Sequence, residues 1–406
     1  MPMRPWHFVL AFGIVSLLAD MVYEGARSII GPYLATLGAS ATVVGLVAGA
    51  GEFIGYGLRV FSGYAVQRTR HYWTWTILGY ALTVLSVPLI GATGVLAPAL
   101  LLYGTERLGK AVRSPAKDTL LSHASAQTGR GSAFGVHQAL DQTGAMLGPL
   151  LLAAVLGWRE GDYRLAFAVL AVPGVLVLAL LLWLRHRVPD PLVYEEGVNP
   201  GDSAHALDAD LVEPTPDTRD PQRLPARFWH YAGAIAVLSC GIASFPLLAY
   251  HAQTQGLLTD AQVPILFAVA MFVDGASGLV MGRVYDRSGP QTLLAVPIAA
   301  SVSVIAFTHN VLWIWVGVAV WGVVNGVLDS TVKAVVTELV PIGTRSVAFG
   351  WLAFVRGVGL LVAGGALGVA YDQGVPFAVG LVLAANAVGL ASLATVLRKI
   401  SRIAAS

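Results

Sequence analysis

Asp20, Glu24 and Arg27 follow one another at spacings of four and three, which on a helix puts two carboxylates and a guanidinium on one face. Glu52, Tyr56 and Arg59 repeat the arrangement over two turns. Glu106, Arg107, Lys110, Arg113 and Lys117 crowd a third stretch, where Glu106, Lys110, Arg113 and Lys117 form one stripe. His137 and Asp141 lie one turn apart, in line with Gly144 and Gly148. The rest of the chain is sparser: Asp274, Asp329 with Lys333 one turn on, and Arg356. The chemistry open to such groups is reversible proton binding. Desolvation favours the neutral carboxyl and a neighbouring cation favours the carboxylate, so exchanging a cationic partner takes up or releases a proton. Enzymatic chemistry is not expected, because no nucleophile–base constellation is present. The histidines (His7, His71, His123, His137, His186, His205, His230, His251 and His309) are scattered one per segment, and Cys240 is the sole cysteine. Neither a metal site nor a disulfide is therefore expected. No Gly-rich loop followed by Lys-Ser/Thr points to a nucleotide, so no cofactor is expected.

The elements that hold these groups are apolar. The chain has 406 residues, 56% hydrophobic and only 12% charged, with mean hydropathy +0.70. Soluble domains carry about a quarter charged residues, so the solvent for this chain is lipid. A net charge of +2 argues against a nucleic-acid partner. The start, Met1 to Trp6, runs into an apolar stretch with no small-residue cleavage site, so it reads as a span and not a signal peptide. A spanning helix takes roughly 20 apolar residues. Six fit in residues 7–33, 41–66, 73–93, 96–122, 133–157 and 164–186, and six more in 228–253, 261–283, 290–308, 311–339, 346–371 and 376–397. An ionisable side chain at mid-span costs about 2.5–3.5 kcal/mol on insertion scales, which makes the groups above functional candidates.

Bland readings stand beside several of them. Lys117 and Asp118 fall at the end of the fourth span, where snorkelling explains them. Arg113 precedes Pro115 and reads equally as the brace of a kinked helix end. Glu106–Arg107 reads equally as a static pair, and His137 as a packed, satisfied residue. Trp73, Trp75, Trp313 and Trp315 begin spans and read as interfacial belt. Residues 188–227, rich in Asp, Glu and Pro, cannot order themselves by apolar burial and read as a flexible acidic linker between residues 1–187 and 228–406. Arg4, Arg68, Arg70, Arg130, Arg185, Arg187, Arg283, Arg287, Arg345, Arg398, Lys399 and Arg402 fall on one side, against Arg159 and Arg164 on the other. Both termini and the linker are therefore expected in the cytoplasm, with the chain in the inner membrane.

The halves repeat. Gly63 to Arg68 aligns with Gly282 to Arg287, 219 residues apart, and Phe134-Gly135 aligns with Phe349-Gly350, 215 apart. Twelve spans in two six-helix halves, related by a parallel pseudo-repeat, resemble the major facilitator superfamily of secondary transporters. Gly282, Asp286, Arg287 and Gly289 match the family's cytoplasmic gating loop. The first copy, with Gly63 and Arg68, has Gln67 in place of Asp and Arg70 in place of Gly. Gly144, Gly148 and Pro149 resemble the fifth-span motif of the antiporter branch, and Arg107 sits near the family's buried arginine. The resemblance implies that spans 1, 2, 4, 5, 8, 10 and 11 line or flank a central cavity. Spans 3, 6, 9 and 12, implied to face lipid, carry no acid or base in their interiors.

The expected function is a monomeric, proton-coupled antiporter that exports small organic molecules. Asp20, Glu24, Glu52, Glu106 and Asp141 are the proton candidates, Asp141 and Glu24 first. Tyr23, Arg27, Tyr56, Arg59, Arg107, Lys110, Arg113, His137, Asp274, Asp329, Lys333 and Arg356 are the substrate-cavity candidates. The alternative within transport is a symporter for a metabolite such as an organic anion or sugar. A receptor or membrane enzyme is the alternative from another class. Five first-half acids against five bases give no net sign from which to choose a substrate charge.

Overall fold

The computed structural model describes residues 3–125, 128, 130–194, 224–341 and 344–404, and every regular element among them is helical. Helices α1 (Pro5–Thr36), α4 (Tyr72–Thr93), α5 (Leu96–Ser125) and α6 (Arg130–Trp158) each cross as one piece. The second span breaks at Leu58 into α2 (Ala41–Gly57) and α3 (Arg59–Thr69). The sixth breaks at Leu170 into α7 (Tyr163–Val169) and α8 (Ala171–Arg187). In the second half α9 (Ala226–Cys240) and α10 (Phe245–Thr254) make one span, followed by α11 (Gln262–Ser288). Helix α12 (Ala295–Ser303) is flanked by 3-10 turns, and α13 (Val311–Leu339), α14 (Arg345–Gln373) and α15 (Val375–Ala404) close the series.

Twelve helical spans result, although only ten stretches are long and apolar enough to be recognised by hydropathy. Two physical reasons account for the difference. Helix α5 carries too many ionisable residues to pass, and α11 and α12 run together as one apolar stretch, Gln262–Phe307. The linker acids Glu195, Glu196, Asp202, Asp208, Asp210, Glu213, Asp217 and Asp220 lie outside the described residues, as do the side chains of Arg130, Lys399 and Arg402.

Helix ends follow local chemistry. Pro5 opens α1, where its missing N–H costs nothing. Asp162 accepts from Leu165 N at 2.9 Å and caps α7, and Asn310 accepts from Leu312 N at 3.0 Å to cap α13. Arg70, at φ 53°, ends α3, and Gly289, at φ 65°, ends α11. These two positions are 219 residues apart, the same interval as the repeat. The left-handed turn is thus made twice, once with the residue type that adopts it freely and once with arginine.

The described residues pack as two compact units, and the units cut across the chain halves. The first holds α1, α3 to α8, and α11 as far as Ala268. There α1 packs against α6, α8, α5 and α4. Gly144 and Gly148 of α6 sit directly on the backbone of Leu17 and Met21 of α1, and a Cβ at Gly109 of α5 would lie 2.6 Å from Gly79 O of α4. Small residues let the backbones approach where no hydrophobic drive separates helix from lipid. Trp73 is buried, packs on Phe8 and Phe12, and donates to Val188 O at 3.0 Å, so it pins α4 to the end of α8. That departs from the interfacial belt read from its place at the start of a span. Trp313, at 50% exposure, lies on the surface.

The second unit holds α2, α9, α10, the rest of α11, and α12 to α15. Gly45 and Gly49 of α2 meet the backbone of Gly364 and Leu360 of α14. At one end of this pair Asp372 of α14 accepts from Ala41 N at 3.0 Å, Thr42 N at 2.9 Å and Thr42 Oγ1 at 2.6 Å. A carboxylate borrowed from a neighbouring helix thereby caps α2 and complements its dipole. Asn386 of α15 donates to Gly241 O at 2.7 Å where α9 ends.

Candidate functional site

Helices α1, α5 and α6 converge in the first unit, with α4 behind them, and each places ionisable side chains on its inward stripe. On α1, Glu24 accepts from Arg27 Nη1 at 3.5 Å, as the spacing of three allows. Its other oxygen lies 3.9 Å from Lys110 Nζ of α5. Glu24 thus stands between two cations. Lys110 also sits 4.4 Å from the ring centre of Tyr23. The Arg113 guanidinium lies between two phenol rings, 5.1 Å from Tyr23 and 4.3 Å from Tyr80 of α4. Cation–π contact compensates part of the lost hydration of a cation only 3% exposed. Arg27 is 6.0 Å from the ring of Phe267 at the start of α11.

One turn away, α6 brings in His137 and Asp141. Lys117 Nζ lies 3.8 Å from Asp141 Oδ2 and 3.2 Å from His137 Nε2. The same His137 nitrogen is 3.6 Å from Asp141 Oδ1 and 3.2 Å from Ser16 Oγ, and Ser16 is 3.4 Å from Tyr80 OH. The His137 ring stacks on Phe12 with centroids 6.2 Å apart. Nε2 has one site to offer. While it accepts from the Lys117 ammonium it cannot donate to Asp141, and a protonated ring that donates to Asp141 would face the ammonium as a like charge. Lys117, as donor, and Asp141, as acceptor, are therefore exclusive partners of that nitrogen. Asp20 is 7% exposed on the same face of α1 and feels the charges of Asp141, Arg113 and Lys117.

The remaining candidates fall elsewhere. Glu106 and Arg107 form an ion pair on α5, both side chains 1% exposed, with Arg107 5.2 Å from the Tyr103 ring. Glu106 does not extend the Lys110–Arg113–Lys117 cluster by any salt bridge but pairs with its chain neighbour. Arg59 opens α3 in the first unit. In the second unit Arg356 of α14 donates to Asp329 of α13 at 3.1 Å and lies 5.3 Å from the Tyr56 ring of α2, within reach of the Glu52 charge. Asp274 is on α11 and Lys333 is on α13, one turn beyond Asp329. Gly63 and Arg68 lie within α3, and Gly282, Asp286 and Arg287 within the last turns of α11, so these family positions are helical and only Gly289 stands in the turn. Gly144 and Gly148 form the α1-facing side of α6, and Pro149 is buried beside them.

Three participants gave little signal in the sequence. Lys117 reads as a helix-end residue because the expected fourth span ends at Ser122, but α5 continues to Ser125 and the lysine is 15% exposed between His137 and Asp141. Ser16 and Tyr80 are uncharged residues in apolar stretches, where packing explains them equally well. In the second unit His251 is fully buried, with Nδ1 2.8 Å from Tyr371 OH and Nε2 3.3 Å from Thr308 O.

The comparisons with known proteins agree with this architecture. A family model for the Major Facilitator Superfamily matches residues 12–364. An uncharacterized protein of Mycobacterium tuberculosis is 45% identical over 404 residues, 99% of this chain and 95% of the relative. An uncharacterized MFS-type transporter of Methanocaldococcus jannaschii is 23% identical over 367 residues, 87% of this chain and 86% of the relative. Among solved structures, a peptide transporter, POT, in complex with sulfate matches with a TM-score of 0.75 at 15% identity, covering 98% of this chain and 94% of that one. Identity that low speaks to the fold: an all-α integral membrane protein of twelve helices in two six-helix halves.

Proposed function

The chain belongs to the Major Facilitator Superfamily, and from that premise we propose that this membrane transporter is a proton-coupled antiporter exporting small organic molecules, amphipathic and drug-like ones included, by alternating access. The observation that carries the reading is the arrangement around Asp141. Its two oxygens face Lys117 and His137, and Lys117 and Asp141 compete for the His137 Nε2 nitrogen. A proton arriving on Asp141 releases Lys117 from that carboxylate and leaves its ammonium to His137, which it already approaches at 3.2 Å. Glu24, held between Arg27 and Lys110, is the second carrier on the same principle. Asp20 joins them electrostatically, and Glu52 and Glu106 follow in rank. Proton binding at these acids lowers the site's preference for a cationic or polar substrate, which is the logic of exchange. The antiporter assignment draws its support from Gly144 and Gly148, which seat α6 on the turn of α1 that carries Asp20 and Glu24.

In this reading Tyr23, Arg27, Lys110, Arg113 and His137 contact the substrate in the first half. Tyr56, Asp274, Asp329, Lys333 and Arg356 do so in the second. The protein works as a monomer in the inner membrane, performs no catalysis, and joins halves 1–187 and 228–406 by a cytoplasmic linker. The concentration of arginines at Arg4, Arg68, Arg70, Arg185, Arg187, Arg283 and Arg287 supports that orientation.

The test is a thermal-shift screen of the solubilised full-length chain against diverse organic compounds at pH 6 and 8. A ligand that binds the native state raises the melting temperature by mass action. For an antiporter, stabilisation weakens at pH 6, because the proton and the ligand compete. Asp141→Asn combined with Glu24→Gln is expected to remove that pH dependence while ligand binding persists. Stabilisation that strengthens in acid would make the protein a symporter. A double variant that keeps the full pH dependence would move the proton to Glu52 or Glu106.

A further inference from the structure

Where α1 begins and α8 ends, the two helices leave a cleft of about 450 Å³, within the range of about 300–1,000 Å³ typical of ligand sites. Arg4, His7, Leu10 and Ile14 line it from α1, and Trp183 and Arg187 from α8. His7, Ala11 and Ile14 follow one helical stripe and Arg4 caps the helix start, so polarity changes in order along a single groove: cation and imidazole at the helix start, then alkyl side chains going inward. Among the described residues no acidic side chain lines it. Leu10, Ile14 and Trp183 are 44%, 45% and 42% exposed, so in a membrane they face hydrocarbon. The Arg187 guanidinium lies 5.9 Å from the Trp183 ring centre, at the polar end of the cleft. The polar end is built. Tyr194 OH donates to Met3 O at 3.0 Å and its ring meets Phe8, while Trp73 holds Val188 just past Arg187. Burial pushes the Tyr194 phenol up to about 12, so this clamp keeps its proton across the physiological range.

We propose that this cleft binds an anionic phospholipid, with the phosphate between Arg4 and Arg187 and an acyl chain along Leu10, Ile14 and Trp183. Charge complementarity selects the headgroup, since basic pockets between spanning helices attract anionic lipid and tryptophan settles at headgroup depth. The exposed apolar wall selects a lipid over a soluble phosphate, which has nothing to place there. No residue of the Asp141 cluster lines the cleft, so the proposal does not rest on the transport reading.

The experiment uses the full-length protein in detergent with phosphatidylglycerol, phosphatidylcholine of the same acyl chains, or inorganic phosphate. Phosphatidylglycerol is expected to raise the melting temperature and phosphatidylcholine to leave it nearly unchanged. Arg4→Gln with Arg187→Gln should weaken phosphatidylglycerol binding about 30-fold, one power of the surface attraction for each arginine, whereas lysine at both positions should retain most of it. Native mass spectrometry of the wild-type protein with both lipids at equal concentration gives an independent reading, with preferential retention of phosphatidylglycerol expected. Equal retention of the two lipids overturns the proposal. So does an undiminished shift in the double glutamine variant, or a shift reproduced by inorganic phosphate alone.

Discussion

In the unit built around α1, acids and bases are withdrawn from solvent and shared. Glu24 faces Arg27 and Lys110, and Asp141 faces Lys117 and His137. In the unit built around α14, Arg356, its side chain 14% exposed, pairs with Asp329, whose side chain is 59% exposed. The difference teaches what burial does to an ion pair. Exposed charges are held apart by water and contribute little, whereas buried ones must be partnered, and removing either partner leaves an uncompensated charge. In the proposed exchange, the first unit is therefore where a change of protonation would be felt most.

Breaking one pair in each unit gives the largest contrast. Glu106→Ala should lower stability by about 3–5 kcal/mol, because Arg107 then stays buried without its carboxylate. Asp329→Ala should cost less, about 1–2 kcal/mol, because the carboxylate removed is itself exposed and the buried Arg356 keeps the Tyr56 ring. Thermal melting of the two variants in the same detergent checks this, and equal losses would mean that exposure does not set the difference. A smaller contrast comes from the glycines of the second unit. Gly364→Ala drives a methyl into the backbone of Gly45 and should cost about 1–3 kcal/mol. Gly55→Ala, where a Cβ meets nothing within 4 Å, should be neutral or stabilising by up to about 1 kcal/mol. The smallest effect compares the two copies of the repeat turn. Arg70→Gly should stabilise by about 1 kcal/mol by relieving a left-handed backbone, and Gly289→Ala should cost a similar amount. Melting curves for this reciprocal pair would sharpen the comparison, and a loss of stability in Arg70→Gly would show that the arginine side chain outweighs its backbone strain.

Much of this was legible in the sequence. The repeat interval of 219 residues carried through to a shared left-handed turn, even though arginine replaces glycine in one copy. The spacing of Asp20, Glu24 and Arg27 placed them on one face, and Glu24 and Arg27 do meet. Spacing constrains only one helix at a time, and there it fell short. The α5 stripe runs Glu106, Lys110, Arg113, Lys117, yet Glu106 turns to Arg107, because a short carboxylate reaches an adjacent guanidinium as readily as one a turn away. Lys117 was hidden by the two further turns that continue α5 beyond it. Asp372 lay one residue past the expected end of its span, and its capping of α2 depends on a contact 330 residues away in the chain, to which no local pattern points. Hydropathy lost α5 for the reason that makes the helix interesting: its charges are paid for by neighbours that a sliding window does not see.

The glycine seams have a mechanical meaning. Where α6 rests on α1 at Gly144 and Gly148, and where α14 rests on α2 at Gly364 and Gly45, backbone meets backbone, with the Leu140 and Leu46 side chains seated on glycines beside them. Such a contact is a plain bearing. It resists any increase in bulk, yet it offers no rotameric ratchet against a small roll of one cylinder on the other. On the α2–α14 bearing the Asp372 clasp acts as a pivot at one end, so a roll there swings the far end, where Tyr56 and Arg356 meet, through the widest arc.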